Sequence, residues 1–134
     1  MGTIKRFEEL EIWQLARTLC QDIERLFQKT GVGSNYALHN QMERSSGSVI
    51  YNIAEGFDRG GNKEFINFLS YAKGSAGEVK SQLYRCFDKA LISEKMFQEE
   101  SLKCQEIQNK IGGFMAYLIK SEFKGQKFKQ QNNK

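Results

Sequence analysis

Residues 63–90 read KEFINFLSYAKGSAGEVKSQLYRCFDKA and carry the clearest secondary-structure signal in the chain. Apolar residues recur along this stretch in alternating steps of four and three, which is the spacing of one face of an α-helix. They are Phe65, Leu69, Ala72, Ala76, Val79, Leu83, Phe87 and Ala90. The pattern predicts a long helix with one buried side, and Asn62 is the predicted N-cap.

Two more helices are predicted before this one, at residues 7–30 and 36–58. Glycines at positions 31 and 33 end the first, and the adjacent Gly60 and Gly61 end the second. Ser34 and Asn35 are both good N-caps for the second helix, since their side-chain oxygens accept hydrogen bonds from free backbone N–H groups.

A fourth helix is predicted to begin at Ser93 and Glu94, where a hydroxyl caps the helix and an acid meets its positive end. Its apolar residues keep the same rhythm: Phe97, Cys104, Ile107, Ile111, Phe114 and Leu118. Four amphipathic helices joined by short polar loops predict an all-α fold, an antiparallel up-down-up-down four-helix bundle. The absence of proline from all 134 residues favours the same class.

The predicted organisation is an N-terminal extension at residues 1–6, the bundle at residues 7–121, and a basic, disordered tail at residues 122–134. The formal net charge is +4. Residues 120–134 contain five lysines and one glutamate, so this segment carries the whole net positive charge and the rest of the chain is formally neutral. Contact with nucleic acid would therefore use the tail, a local patch, or a patch repeated in an oligomer. The candidate phosphate contacts in the tail are Lys124, Lys127, Lys129 and Lys134.

Catalysis, metal binding and cofactor binding are not expected. Cys20, Cys86 and Cys104 lie far apart without a C-x-x-C pair, and His39 is the single histidine. Each cysteine falls among apolar helix positions, which predicts buried reduced thiols, and His39 is predicted at the surface. The longest apolar runs are too short to span a membrane, and Lys5 and Arg6 precede no apolar segment. We therefore expect a cytoplasmic protein without a membrane partner.

The second helix carries a polar stripe beside its apolar face. The apolar face consists of Leu38, Met42, Ser46, Val49, Ile50, Ile53 and Phe57. The stripe covers an arc of about 80° and consists of Gln41, Arg44, Ser48, Asn52, Glu55 and Arg59. It predicts either a hydrogen-bonded ladder, within the bundle or between subunits, or a contact for nucleic acid or another anionic partner.

The third helix has small residues opposite its apolar face, namely Ser70, Gly74, Gly77 and Ser81. Glycine within a helix costs stability unless another backbone comes close. This face predicts a contact between subunits. The alternative is a bend in an exposed helix.

Three segments together resemble one protein family. Residues 41–59 read QMERSSGSVIYNIAEGFDR, residues 7–16 read FEELEIWQLA, and residues 64–78 read EFINFLSYAKGSAGE. They are similar to the four-helix-bundle proteins named for intervening sequences in bacterial 23S ribosomal RNA genes. The resemblance covers about residues 7–118 in order.

The resemblance implies a homopentameric, barrel-like assembly, and no enzymatic activity is established for the family. It also implies a relationship to the accessory protein of diversity-generating retroelements, which contacts nucleic acid and a reverse transcriptase. Two positions depart from the family pattern: Ser45 replaces a small apolar residue, and Glu43 stands where a basic residue is frequent. Both reduce the similarity beside Arg44, and Glu43 reduces the local positive charge.

Two functions follow as hypotheses. The first is a non-catalytic oligomeric scaffold that binds RNA or a nucleoprotein partner through basic residues repeated around a ring. The alternative is a protein–protein adaptor with no nucleic-acid role.

Overall fold

Four α-helices build the part of the protein that the structure describes. The computed structural model describes the backbone of residues 4–132 and the side chains of residues 4–121. The helices are α1 (Glu11–Lys29), α2 (Tyr36–Asp58), α3 (Asn62–Asp88) and α4 (Glu94–Asn132), with short 3-10 helices at Phe7–Glu9 and Gly31–Ser34. The fold is all-α, since residues 4–132 contain no β-strand. Within the described residues, no helix is long and apolar enough to cross a membrane.

Hydrogen bonds between side chains define the direction of neighbouring helices. Ser75 Oγ donates to Ser48 Oγ at 2.8 Å, and Gln82 Nε2 donates to Ser45 Oγ at 3.0 Å. Residue numbers therefore rise along α3 as they fall along α2, and the two helices are antiparallel. The helices α3 and α4 also pack together, and α1 packs against both α2 and α4.

The apolar face of α3 is confirmed along most of its length. Six of the eight predicted positions are buried, from Phe65 to Leu83. The prediction is wrong at the helix end, where Cys86 is buried and Phe87 is 38% exposed and stacks on the Phe97 ring at 5.1 Å. An α-helix has 3.6 residues per turn, so a seven-residue repeat drifts off the buried face over several turns.

Two of the predicted helix caps are present. Asn35 Oδ1 accepts a hydrogen bond from the Leu38 backbone N–H at 3.2 Å, and Ser93 Oγ accepts one from the Met96 N–H at 3.1 Å. The prediction for Asn62 is wrong. Gly61 occupies the N-cap position of α3 without a side-chain hydrogen bond, and Asn62 is the first helical residue.

The first helix is shorter than predicted. Leu10 is extended and buried, so it separates the 3-10 helix from α1. At the other end, Thr30 Oγ1 donates to the Leu26 carbonyl at 2.6 Å and accepts from the Val32 N–H at 3.2 Å. Thr30 thus ends α1 and starts the following 3-10 helix.

The fourth helix continues to Asn132, whereas the sequence predicts a disordered tail from residue 122. The stretch contains no proline and several lysines and glutamines, which are good helix formers. The side chains of Lys124, Lys127 and Lys129 and the whole of Lys134 lie outside the described part of the chain. Their predicted phosphate contacts stay predictions.

Ala90 has a left-handed backbone, with φ of 58°. The Ala90 N–H donates to the Phe87 carbonyl and the Leu91 N–H to the Cys86 carbonyl, both at 2.9 Å, which is the hydrogen-bond pattern that ends many helices with glycine. We expect Ala90→Gly to raise the free energy of unfolding by about 1 kcal/mol in urea titrations, because glycine adopts this conformation without a steric cost.

The matched control for this change is Ala116→Gly, at an exposed position within α4. This substitution should lower the free energy of unfolding by about 1 kcal/mol, since glycine is a poor helix former. Equal losses from both substitutions would contradict the role given to Ala90.

Candidate interaction surface on the second and third helices

Close packing between α2 and α3 depends on Gly56. A Cβ atom at this position would lie 2.6 Å from Phe68 Cβ and 2.9 Å from Phe65 Cδ1, so a larger residue does not fit without movement of α3. The Phe65 ring also contacts the Phe57 ring, with centres 6.0 Å apart. This approach determines which polar side chains face one another along the boundary between the two helices.

Ser48 and Asn52, two residues of the predicted polar stripe, lie in the middle of this boundary. Asn52 Nδ2 donates to the Ser48 carbonyl at 2.7 Å and to Ser48 Oγ at 2.9 Å, and Ser48 Oγ accepts from Ser75 Oγ. These half-buried groups join α2 to α3. The structure therefore gives this part of the stripe a structural role.

A polar groove of about 460 Å³ lies at one end of the boundary. Its lining residues are Gln41, Arg44, Ser45, Glu78 and Gln82. Ser45 Oγ lies 3.5 Å from Glu78 Oε2 and accepts from Gln82. Arg44 is exposed and contacts only a carbonyl one turn earlier through Nε, at 3.5 Å, among the described residues. Its Nη groups are therefore available for a ligand or a partner.

Glu55 and Arg59 lie at the other end of the boundary. Arg59 Nη2 is 3.0 Å from Glu55 Oε1, and both side chains are about half exposed. The guanidinium carbon of Arg59 lies 5.3 Å from the centre of the Phe68 ring, within the range of a cation–π contact. An ion pair so open to water adds little to stability.

The six residues of the polar stripe do not form one continuous ladder within the protomer. The two in the middle bind each other and α3, whereas Gln41, Arg44, Glu55 and Arg59 are exposed. Within this chain only the middle of the stripe is joined to α3, and a ladder between subunits stays a prediction for its two ends.

Two exposed tyrosines, which the sequence analysis did not single out, lie between these ends. Tyr51 on α2 is 71% exposed and Tyr71 on α3 is 61% exposed. Tyr51 follows Ser48 by three residues and Tyr71 precedes Ser75 by four, so both lie at nearly the same level of the antiparallel pair. The Tyr51 ring lies over Gly47, where an added Cβ would be 3.0 Å from Cε2, and it borders a groove with residues of α1, so it lies on the α1 side of the outer face of α2.

We call this region the α2–α3 surface. It is defined by Gln41, Arg44, Glu55, Arg59, Tyr71, Glu78 and Gln82, and Tyr51 lies beside it on the outer face of α2. Exposed tyrosine and arginine side chains are typical of binding surfaces, because their large planar groups make broad contacts at a low cost in conformational entropy.

The small residues of α3 divide into two groups. A Cβ at Gly77 would lie 2.8 Å from Gln108 Nε2, which donates to the Lys73 carbonyl at 3.2 Å. Gly77 thus faces α4 of the same chain, where an added Cβ would displace the flexible end of the Gln108 side chain. Ser70, Gly74 and Ser81 are exposed, and no described atom lies within 4 Å of a Cβ built at Gly74.

Residues 8–113 match the sequence model of the 23S rRNA-intervening sequence protein family. The chain belongs to this family. The resemblance on residues 41–59 and 64–78 is confirmed, and the whole α2–α3 surface lies within the matched range. No curated protein matches the chain.

A solved structure agrees with the fold of this 23S rRNA-intervening sequence protein. It is a crystal structure of a protein of unknown function from the S23 ribosomal protein family of Bacteroides thetaiotaomicron. The two are 20% identical, with a TM-score of 0.71, over 78% of this chain and 97% of the other. At this identity the likeness concerns the fold alone.

A buried ionic cluster between α1 and α4 is absent from the sequence predictions. Asp22 is 5% exposed and Glu100 is 8% exposed. Arg25 binds Asp22 Oδ1, and Lys103 Nζ lies 2.5 Å from Asp22 Oδ2 and 3.6 Å from Glu100 Oε2. Glu100 follows Phe97 by three residues and precedes Cys104 by four, so the spacing of the apolar residues of α4 places Glu100 on the buried face.

The cysteines and the histidine lie away from the α2–α3 surface. Burial raises the pKa of the Cys86 thiol to about 11 and that of Cys104 to about 12, which keeps both protonated. The prediction of buried reduced thiols is confirmed for these two, whereas Cys20 is half-buried and donates to the Ser46 carbonyl at 3.3 Å. His39 is also half-buried, with its ring centre 4.1 Å from that of Phe27.

Proposed function

We propose that this protein is a non-catalytic oligomeric scaffold that binds RNA or a nucleoprotein partner through the α2–α3 surface. The protomer would be an antiparallel up-down-up-down four-helix bundle, and the assembly a homopentamer. The observation that carries the proposal is the exposed Tyr71 of this surface, at one level with the exposed Tyr51 on the outer face of α2, with Arg44 and Arg59 at the two ends of the surface. Tyrosine rings stack on unpaired bases and guanidinium groups bind phosphate.

Oligomerisation would supply the affinity for a phosphate backbone that a single protomer lacks. The chain outside its basic end is formally neutral, so one copy would attract a phosphate backbone weakly. Five copies of the α2–α3 surface would bind one strand together, because each contact raises the effective concentration for the next. The open face at Ser70, Gly74 and Ser81 supports the assembly, since a neighbouring helix could approach closely there.

We expect the wild-type protein to scatter light as an oligomer of about five times its 15.5 kDa protomer mass. It should bind a mixed-sequence single-stranded RNA of 30 nucleotides at 50 mM salt, measured by fluorescence anisotropy. Replacing Tyr51 and Tyr71 together by alanine should weaken binding at least tenfold, because base stacking on an aromatic ring contributes about 1–3 kcal/mol per base. Raising the salt to 200 mM should weaken wild-type binding strongly.

Two further variants separate charge and assembly from stacking. Arg44→Gln should weaken binding, and Lys95→Gln, an equal charge change at an exposed position outside the surface, should not. Gly74→Leu has room within the protomer, so a lower oligomer mass together with weaker RNA binding would place Gly74 at a subunit contact. Absence of RNA binding at 50 mM salt in an intact oligomer would reject the RNA scaffold.

A protein–protein adaptor is the second candidate. The α2–α3 surface also carries the carboxylates of Glu55 and Glu78 beside its arginines, and a protein partner with both signs of charge would complement them. The two candidates differ in a pull-down with and without nuclease. A partner retained by the wild type after nuclease treatment, and lost from the Tyr51→Ala/Tyr71→Ala variant, would support the adaptor.

A further inference from the structure

The contact between α1 and α4 differs from the other helix contacts because no loop joins these two helices. The chain passes directly from α1 to α2, from α2 to α3 and from α3 to α4. Only noncovalent interactions hold α1 against α4, and at the centre of this contact lie the side chains of Asp22 and Glu100. A change in charge at these two carboxyl groups therefore acts directly on the contact.

The two carboxyl groups share the cations unequally. Both Asp22 oxygens are paired, one with Arg25 and one with Lys103. Glu100 has a longer contact of 3.6 Å from Oε2 to Lys103, and its Oε1 accepts no hydrogen bond from a described residue. Its carboxyl group also lies against that of Asp22, to which it can donate a hydrogen bond only when protonated. A buried carboxylate with an unpaired oxygen beside a second carboxylate is unfavourable, so Glu100 is the group that holds a proton.

We propose that Asp22 and Glu100 form a pH-sensitive latch, which holds α1 against α4 while Glu100 is protonated and loosens that contact when the proton leaves to solvent. In the closed state the protonated Glu100 is a neutral neighbour of the Asp22 carboxylate, which keeps both of its cations. After deprotonation, two buried negative charges compete for Lys103, and the repulsion favours separation of the helices.

The other charged and titratable groups near Glu100 do not compensate its negative charge. Its own helix contributes Lys103, already bound to Asp22, and the Cys104 thiol, which burial keeps neutral. On α3, Lys80 lies near Cys104 and binds Gln105 Oε1 at 2.8 Å. From α1, Arg25 contacts Asp22.

The latch operates near neutral pH. Burial raises the pKa of Glu100 from 4.5 to about 7, the adjacent Asp22 adds to the rise, and Lys103 opposes it. The pKa of Asp22 is also pushed upward by burial, but hydrogen bonds from Lys103, Glu100 and Arg25 outweigh that effect and hold it below 3.8. Asp22 is thus ionised throughout the range in which Glu100 titrates.

Hydrogen exchange of the full-length protein tests the latch. We expect the protection factors of the backbone amides of residues 19–26 and 100–107, which correct for the intrinsic exchange rate, to fall at least tenfold between pH 5 and pH 8. The amides of residues 45–53 and 72–79, in the α2–α3 contact, should change less. In Glu100→Gln the protection of the α1 and α4 amides should stay constant with pH.

Glu99→Gln is the matched control. The Glu99 side chain is about half exposed, and the substitution removes the same charge one residue away from Glu100. It should behave as the wild type. Side-chain carboxyl NMR provides a second measurement, in which one glutamate of the wild type should titrate near pH 7. Identical exchange profiles in the wild type and Glu100→Gln, or no glutamate titrating above pH 5.5, would overturn the proposal. Neither measurement involves RNA, so these experiments test the latch independently of the proposed function.

Discussion

Replacing Gly33 with alanine is expected to lower the free energy of unfolding by on the order of 3 kcal/mol and the melting temperature by about 10 °C. Gly33 lies in the 3-10 helix between α1 and α2, and its backbone passes directly over the last turn of α1. A Cβ atom at Gly33 would lie 2.0 Å from the Phe27 carbonyl oxygen and 3.0 Å from the carbonyl carbon. Backbone atoms cannot rotate away as a side chain can, so α1 or the connection must move.

Urea unfolding followed by circular dichroism measures this effect, and Gly113→Ala is the matched control. No described atom lies within 4 Å of a Cβ at Gly113, which is exposed within α4. Alanine there should raise the free energy of unfolding by up to about 1 kcal/mol through its higher helix propensity. A loss of less than 1 kcal/mol for Gly33→Ala would show that the connection adapts easily.

Glu100→Gln is expected to stabilise the protein at pH 8 and to have a much smaller effect at pH 5. A group whose pKa rises from 4.5 to about 7 on folding binds more protons in the folded state between these values. Its contribution to stability is therefore full below pH 4.5 and is lost as the pH rises toward 7. The advantage of the variant over the wild type should grow by about 2–3 kcal/mol from pH 5 to pH 8.

Asp22 acts in the opposite direction. Its pKa is below 3.8 in the folded protein, so its contribution is present above that pH and is lost in acid. Urea titrations between pH 3 and pH 8 should show a wild-type maximum near pH 4–5 that shifts upward in Glu100→Gln. A constant difference between the two proteins at every pH would contradict the burial of an ionisable group at Glu100.

The helices could be predicted from the sequence because their signals are local. Asn35 and Ser93 cap helices through backbone groups three residues away, and both residue type and spacing are visible in the chain. The failures lie at helix ends. The buried face of α3 has drifted from Phe87 to Cys86 at its last turn, and Leu10 is extended and buried, which divides the first predicted helix.

The candidate surface was predictable only in part. The angular position of Arg44 and Arg59 on α2 follows from the helical period, whereas the partner of Ser48 is a residue of α3, 27 positions away. The ionic cluster joins positions 81 residues apart, at Asp22 and Lys103. Helical periodicity indicates which residues are buried, but it does not indicate which buried residues meet.

The position of Glu11 beside Lys110, with Oε1 and Nζ 2.6 Å apart, determines how the molecule would respond to mechanical force. This ion pair lies at the open end of the α1–α4 contact, where α1 begins and α4 continues beyond it. Force applied to the two chain ends would pull these helices apart from that end. Each interaction would bear the load in turn, with the Glu11–Lys110 pair loaded before the Asp22–Lys103 pair. Such peeling needs far less force than sliding two helices past one another with all contacts loaded together.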